Sequence, residues 1–154
     1  MRKLLIAIIL ILQFGIIGCN KDIEYITSIE NISIDNIFTQ KEEVYYIYFY
    51  KNDCEYCDYI KPYLENNSEV NIIKIYGVNF SDNKNKLINR AYENGEGTNF
   101  KYYVSGCSKY EDLYINGYPS LIKIENGVSY FVANGRSNVE IFFEEILSGE
   151  DTNE

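Results

Sequence analysis

The chain of 154 residues contains no histidine. That absence removes Ser-His-Asp and Cys-His nucleophilic catalysis, which use an imidazole as the base. It also removes c-type haem attachment, which needs His directly after the second Cys of a Cys-x-x-Cys pair, where this chain has Asp58. Cysteine is scarce, with four residues in all. A structural zinc site takes four Cys or His ligands, and Cys19 has another use, so the remaining thiols fall short of one. Positive charge is also short, with 14 basic against 23 acidic residues and a formal charge of −9. Such a surface repels phosphate backbones and anionic headgroups, which argues against nucleic-acid binding and against electrostatic docking on a membrane. A long apolar run is missing too. The stretch from Leu4 to Ile17 is shorter than the roughly 20 residues that a comfortable membrane span requires.

That stretch has another reading. Arg2 and Lys3 precede it, and it ends in Ile16-Ile17-Gly18-Cys19. A basic start, a short apolar segment and a small residue at the cut make an export signal, to be left out of the fold. The tetrapeptide resembles a bacterial lipobox, in which Cys19 becomes the lipidated first residue of the mature chain; an uncleaved anchor or a signal cut elsewhere are the alternatives. The expected organisation is a lipoprotein signal peptide over 1–18, the lipidated Cys19 and a tether over 19–24, one domain over 25–148 and a polar tail over 149–154. Loss of Arg2 and Lys3 makes the mature chain more acidic still, so the lipid alone would hold it to the outer side of the cytoplasmic membrane.

Within the domain, Val44 to Tyr50 is a continuous run of β-branched and aromatic residues, as a central strand buried on both faces requires. A weak strand near Tyr25 to Ile29 and a helix near Ser33 to Gln40 are expected before it. After it, Tyr56, Tyr59, Ile60, Tyr63 and Leu64 share one helical face, with Asp53 as N-cap and Cys54 in the first turn. Asn71 to Phe80 reads as the next strand. A polar segment follows, with helices expected around Lys84 to Tyr92 and Ser108 to Tyr114. Ser120 to Ile124 and Val128 to Ala133 flank Asn126-Gly127, a strong hairpin signal. Ser137 with Glu140 three residues on is a capping box for a last helix whose inner face carries Val139, Phe142, Phe143, Ile146 and Leu147.

The chemistry lies in Cys54-Glu55-Tyr56-Cys57, directly after the apolar strand. Two thiols separated by two residues at a helix start can close a small disulfide and reopen it, and the helix amides favour the thiolate of the first. Redox chemistry is the leading reading; a structural disulfide is the main alternative, with metal binding behind it. Cys107 is read first as a plain thiol, with a second redox role as its alternative.

A buried strand, a Cys-x-x-Cys opening a helix, an αβ continuation, a hairpin and a closing helix resemble the thioredoxin-like superfamily. The chain has only two prolines, and both fall where that family uses them. Pro62 looks like the proline within the active-site helix, and Pro119, in Gly117-Tyr118-Pro119-Ser120, like the cis-proline beside the disulfide. The resemblance implies an α/β, thioredoxin-like fold: a central mixed sheet flanked by helices, with an inserted helical and loop segment before the cis-proline. It implies Cys54 as attacking thiolate and Cys57 as resolving thiol, joined as a disulfide in the oxidised state, with Tyr56, Tyr118 and Pro119 forming the substrate ledge. No cofactor is required.

Two positions depart from the family pattern. Asp53 stands where a Trp usually precedes the first Cys. Tyr48 stands where a buried Asp helps deprotonate the resolving thiol, and a phenol is a poor proton acceptor at neutral pH. The insert and the lipobox look closer to exported thioredoxin-like lipoproteins that accompany bacteriocin export. The expected function is an exported, lipid-anchored, monomeric thiol:disulfide oxidoreductase acting on exported protein thiols or disulfides, with a membrane thiol electron donor as a further partner. Asp53, Glu55 and Asp58 crowd the thiolate, which points to a reductant or mild isomerase. The alternative is a non-catalytic accessory lipoprotein for a bacteriocin or peptide exporter. A reductant for cytochrome c haem-site thiols is a third reading.

Overall fold

The computed structural model describes residues 24–85, 104–115 and 117–149. Among these residues five strands form one mixed sheet: β1 (Glu30–Asn31), β2 (Val44–Tyr50), β3 (Ile75–Asn79), β4 (Ser120–Glu125) and β5 (Val128–Asn134), in the order β1-β3-β2-β4-β5. β2 takes the centre, parallel to β3 with Tyr48 opposite Gly77, and antiparallel to β4 with Ile47 opposite Ile122. Its alternation divides the core. Tyr48 and Tyr50 point to one face, beneath the helices α1 (Glu55–Val70) and α2 (Arg136–Ser148). Tyr45, Ile47 and Phe49 point to the other, beneath Ile34, Ile37, Val104, Leu113 and Ile115.

The hairpin between β4 and β5 follows from Asn126 and Gly127, whose φ angles of 50° and 75° suit a two-residue turn with both central residues left-handed. α1 closes on Asn71 in the left-handed region, its N–H bonded to the Asn67 carbonyl at 2.7 Å. Among the described residues no helix is long and apolar enough to cross a membrane. Residues 1–23, with the expected signal and Cys19, and most of the segment expected to carry the Lys84 to Tyr92 helix, lie outside the described residues.

Several local expectations are corrected. The first strand is only Glu30–Asn31, displaced from Tyr25 to Ile29, because Asn31 holds the preceding backbone in a turn by donating to the Ile26 and Ile29 carbonyls at 2.6 and 3.1 Å. The helix expected over Ser33 to Gln40 is a three-residue 3-10 turn, Ile34–Asn36; the Thr39 and Gln40 side chains donate to the Asn36 carbonyl, and Ile34 and Ile37 are the buried residues of the segment. The one expected over Ser108 to Tyr114 is likewise a turn, Tyr110–Asp112. β3 begins at Ile75 rather than Asn71, since Asn71 serves as the helix cap. No capping box forms at Ser137. The N-cap of α2 is Gly135, two residues before the expected one, and the Glu140 carboxylate instead accepts hydrogen bonds from Tyr59 and Tyr63 at 2.6 and 3.0 Å.

Buried Asn79 ties the N-terminal segment to the loop before α1. Its amide donates to the Glu24 carbonyl at 2.7 Å and to Asn52 Oδ1 at 2.8 Å, and its oxygen accepts from the Ser81 N–H at 2.8 Å. A fully satisfied buried amide of this kind fixes where the loop leaves the sheet. The Cys-x-x-Cys segment is thereby held against the end of β2.

Candidate active site

The chain leaves β2 at Tyr50 and turns sharply at Asp53, whose φ is 53°. Asp tolerates this left-handed backbone better than bulkier residues do. Asp53 is therefore the pivot of the turn, and the N-cap falls to Cys54, a correction to the expected cap. The Cys54 sulfur accepts the Cys57 N–H at 3.2 Å, and the Cys54 carbonyl accepts the N–H groups of Cys57 and Asp58 at 2.9 and 3.0 Å. Cys54 and Cys57 are joined by a disulfide with Cα atoms 5.2 Å apart. Cys54 is 9% exposed and Cys57 1%. Cys54 is the more exposed of the two.

Two opposing influences act on the Cys54 thiol once the disulfide opens. Packing among Tyr48, Tyr50, Ile60 and Leu121 disfavours charge, whereas the Cys57 N–H and the helix start favour the thiolate. On the core side, fully buried Tyr48 donates to the Cys57 carbonyl at 3.5 Å and stacks on Tyr50 at 5.8 Å. Burial pushes Tyr48 ionisation far above the ordinary phenol range, so the phenol stays neutral.

Two recesses adjoin this segment, one lined by Cys57 and the other by Tyr56. On the Cys57 side is a cavity of about 240 Å³ lined by Cys57, Asp53, Asp58, Lys61, Glu24 and Tyr50, among others. There Lys61 bonds Asp58 at 2.8 Å and lies 4.0 Å from Glu24. The Asp58 hydrogen bond raises the Lys61 pKa, keeping the ammonium charged. The second recess is an open groove of about 640 Å³ that brings Tyr56 and Tyr118 together with Gly117, Arg136 and Glu140. Tyr56 is 55% exposed, and Tyr59 is exposed as well, so both sit on the rim of α1 rather than on its inner face. Tyr118 is half-buried against Phe80, with ring centroids 5.2 Å apart, and burial pushes its phenol up to about 12. Pro119 is buried and cis to Tyr118, and its carbonyl accepts the Gly135 N–H at 2.8 Å.

Three cations at the site were not among the expected site residues. Lys51 lies 5.7 Å from the Tyr118 ring centroid, Arg136 lies 3.4 Å over Tyr59, and Lys61 faces the cavity beside Cys57. Only Lys61 left a sequence signal, its i,i+3 spacing from Asp58. Cys107 packs with the cluster on the opposite face of the sheet, and its thiol donates to the Asp112 carbonyl at 3.6 Å. Burial raises its pKa, as for an unreactive thiol.

No family model matches the chain, and no curated protein matches it. Similar solved structures include thioredoxin f2 of Chlamydomonas reinhardtii, 15% identical over 80% of this chain and 99% of that one, with a TM-score of 0.49. The thioredoxin of Malassezia sympodialis is 19% identical over 78% of this chain and 89% of its own, with a TM-score of 0.48. Mitochondrial thioredoxin 3 of Saccharomyces cerevisiae, in its oxidised form, is 13% identical over 80% and 97%, with a TM-score of 0.48. Among the described residues the mixed five-strand sheet flanked by two helices is of the α/β class expected from the sequence.

Proposed function

We propose that this protein is an exported, membrane-anchored thiol:disulfide oxidoreductase acting on protein disulfides through Cys54 and Cys57, as a reductant or mild isomerase. The observation that carries this reading is the placement of the pair. The outer sulfur caps a helix and accepts a backbone N–H, while the inner one lies behind it within bonding reach. In the reductive direction the Cys54 thiolate attacks a substrate disulfide and one substrate sulfur leaves as a thiolate. Cys57 then attacks the Cys54 sulfur, closing the disulfide and releasing the second substrate thiol. Tyr56 and Tyr118 border the groove in which the substrate segment would lie. Cys19, lipidated, would tether the domain, and a membrane thiol donor would return it to the dithiol.

Near-complete burial of Cys57 and low exposure of Cys54 support a second reading, a disulfide locked for structure in a non-catalytic accessory lipoprotein. Insulin reduction separates the two. The oxidoreductase reading expects turnover that Cys54→Ser and Cys57→Ser each abolish, with mixed disulfides accumulating on Cys57→Ser only. Rates equal to background in wild type and both variants would establish the accessory reading. Equilibration with glutathione tests direction, since a potential near that of strong periplasmic oxidants, about −120 mV, is incompatible with a reductant.

A further inference from the structure

Resting on the proposed dithiol chemistry, we infer that the cavity beneath Cys57 is the exit for the resolving thiol's proton and that Asp58 is its first acceptor. Cys57 must lose a proton before its sulfur can attack, yet it is 1% exposed. On the core side Tyr48, a buried phenol that stays neutral, already donates to the Cys57 carbonyl. On the other side Cys57 lines the cavity of about 240 Å³, which has room for several waters at roughly 30 Å³ each.

The cavity holds three carboxylates, on Glu24, Asp53 and Asp58, and two ammonium groups, on Lys51 and Lys61; the phenols of Tyr25 and Tyr50 complete its titratable lining. Asp58 is favoured among the acids for two reasons. It follows Cys57 directly in the first turn of α1 and is held by Lys61 at 2.8 Å. Its charge also reaches Tyr48, the ring behind Cys57. The step balances as follows. The Cys57 proton passes through cavity water to the Asp58 carboxylate, and the resulting thiolate bonds to the Cys54 sulfur. The bond from Cys54 to the substrate sulfur breaks, its electron pair leaves on the substrate as a thiolate, and Asp58 returns the proton to solvent. An ordinary carboxylate is far more acidic than a thiol, about 3.9 against 8.5, so the proton rests on Asp58 only in passing. The effect belongs to the rate.

The test uses the full chain carrying Cys19→Ser and Cys107→Ser, reduced and mixed with a neutral dipyridyl disulfide. Attack by Cys54 releases one chromogenic pyridinethione, and resolution by Cys57 releases the second. Asp58→Asn is expected to slow the second phase about tenfold at pH 7 while sparing the first, with the difference closing as pH rises past about 8.5, and Asp58→Glu is expected to restore it. Electrostatics alone predicts the opposite sign, because removing a negative charge near Cys57 eases its ionisation. A second phase that is unchanged or faster in Asp58→Asn therefore overturns the inference, as does equal slowing by Asp53→Asn or by Glu69→Gln at the far end of the helix. Wild-type protein that releases no second thione would instead overturn the oxidoreductase reading itself.

Discussion

The two faces of the sheet are equally closed to solvent but are closed by different means. Over the face bearing the disulfide lie two regular helices, whose Ile60, Leu64, Val139 and Phe143 are fully buried. Over the other face, the described cover comprises the 3-10 turns Ile34–Asn36 and Tyr110–Asp112, irregular chain and the helical residue Val104, and Ile37 and Val104 are just as buried. The irregular cover needs side chains to satisfy its backbone. Tyr45 donates to the Ile37 carbonyl at 2.8 Å, the Ile34 N–H donates to Asn85 at 2.9 Å, and Ser129 donates to the Val104 carbonyl at 2.5 Å. Helices satisfy their own interiors, which leaves the first turn of α1 able to present N–H groups to a sulfur. The disulfide sits on the face that regular helices cover.

This comparison is most easily broken by truncating one buried residue on each face. Phe143→Ala is expected to destabilise the fold by about 3–5 kcal/mol and Ile37→Ala by about 2–5 kcal/mol, both read from urea denaturation. A loss below about 1 kcal/mol at Ile37 would mean that the irregular cover is loosely held and that the faces are not equivalent. A smaller effect is expected where the N-terminal segment crosses β3 at Gly77. A Cβ there would lie 2.7 Å from Asn31 Oδ1 and 2.9 Å from Ile29 Cδ1. Gly77→Ala should therefore cost about 1–3 kcal/mol through overpacking and expose the amides of β1 to hydrogen exchange. Unchanged exchange at Ile32, whose N–H bonds the Gly77 carbonyl at 2.9 Å, would show that the segment yields without unpairing.

The same division explains what could be read before the structure. β2 was legible to the residue because an uninterrupted β-branched and aromatic run has few other uses, and the hairpin because Asn126-Gly127 matches one turn type. The order of elements and the Cys-x-x-Cys at a helix start were legible for the same reason: both depend on local pattern. The irregular face was not. Ile34 and Ile37 at i,i+3 spacing suit a helix as well as a 3-10 turn, and the deciding bonds come from Asn85, distant in sequence. The N-cap was misassigned because Asp53 prefers that role in general, whereas here it absorbs the positive φ of the turn. Glu140 fits a capping box by spacing, but two tyrosines from α1 compete for it. Lys51 and Arg136 reach the site through tertiary contacts that leave no periodic trace.

The smallest expected effect sharpens the comparison, because each face carries a phenol bonded to a carboxylate. On the disulfide face Tyr59 and Tyr63 donate to Glu140; on the other Tyr76 donates to Glu42 at 2.8 Å. The Tyr59 hydrogen bond first, then that of Tyr63 and the charge of Arg136, holds the Glu140 carboxyl below its ordinary value. The Tyr76 bond does the same for Glu42, aided by a backbone bond and nearby lysines. A carboxyl depressed in the folded state stabilises it at pH values above the unfolded pKa, roughly 4.3, and loses that contribution as pH falls through the folded pKa. The phenol side runs the other way. Burial, followed by the bond to Glu140, raises Tyr63 to about 12, so its contribution is full below about 10 and is lost as pH climbs toward 12. Both glutamates are only partly buried, so each change should be small. Glu140→Gln and Glu42→Gln are each expected to flatten part of the acid limb of the stability profile below about pH 4.3, measured by urea denaturation at stepped pH. Glu140→Gln alone should also bring Tyr63 ionisation to lower pH in an ultraviolet titration. An acid limb unchanged in both variants would show that neither bond persists in solution. Flattening in only one would show that the two covers hold their rims differently, despite closing their cores alike.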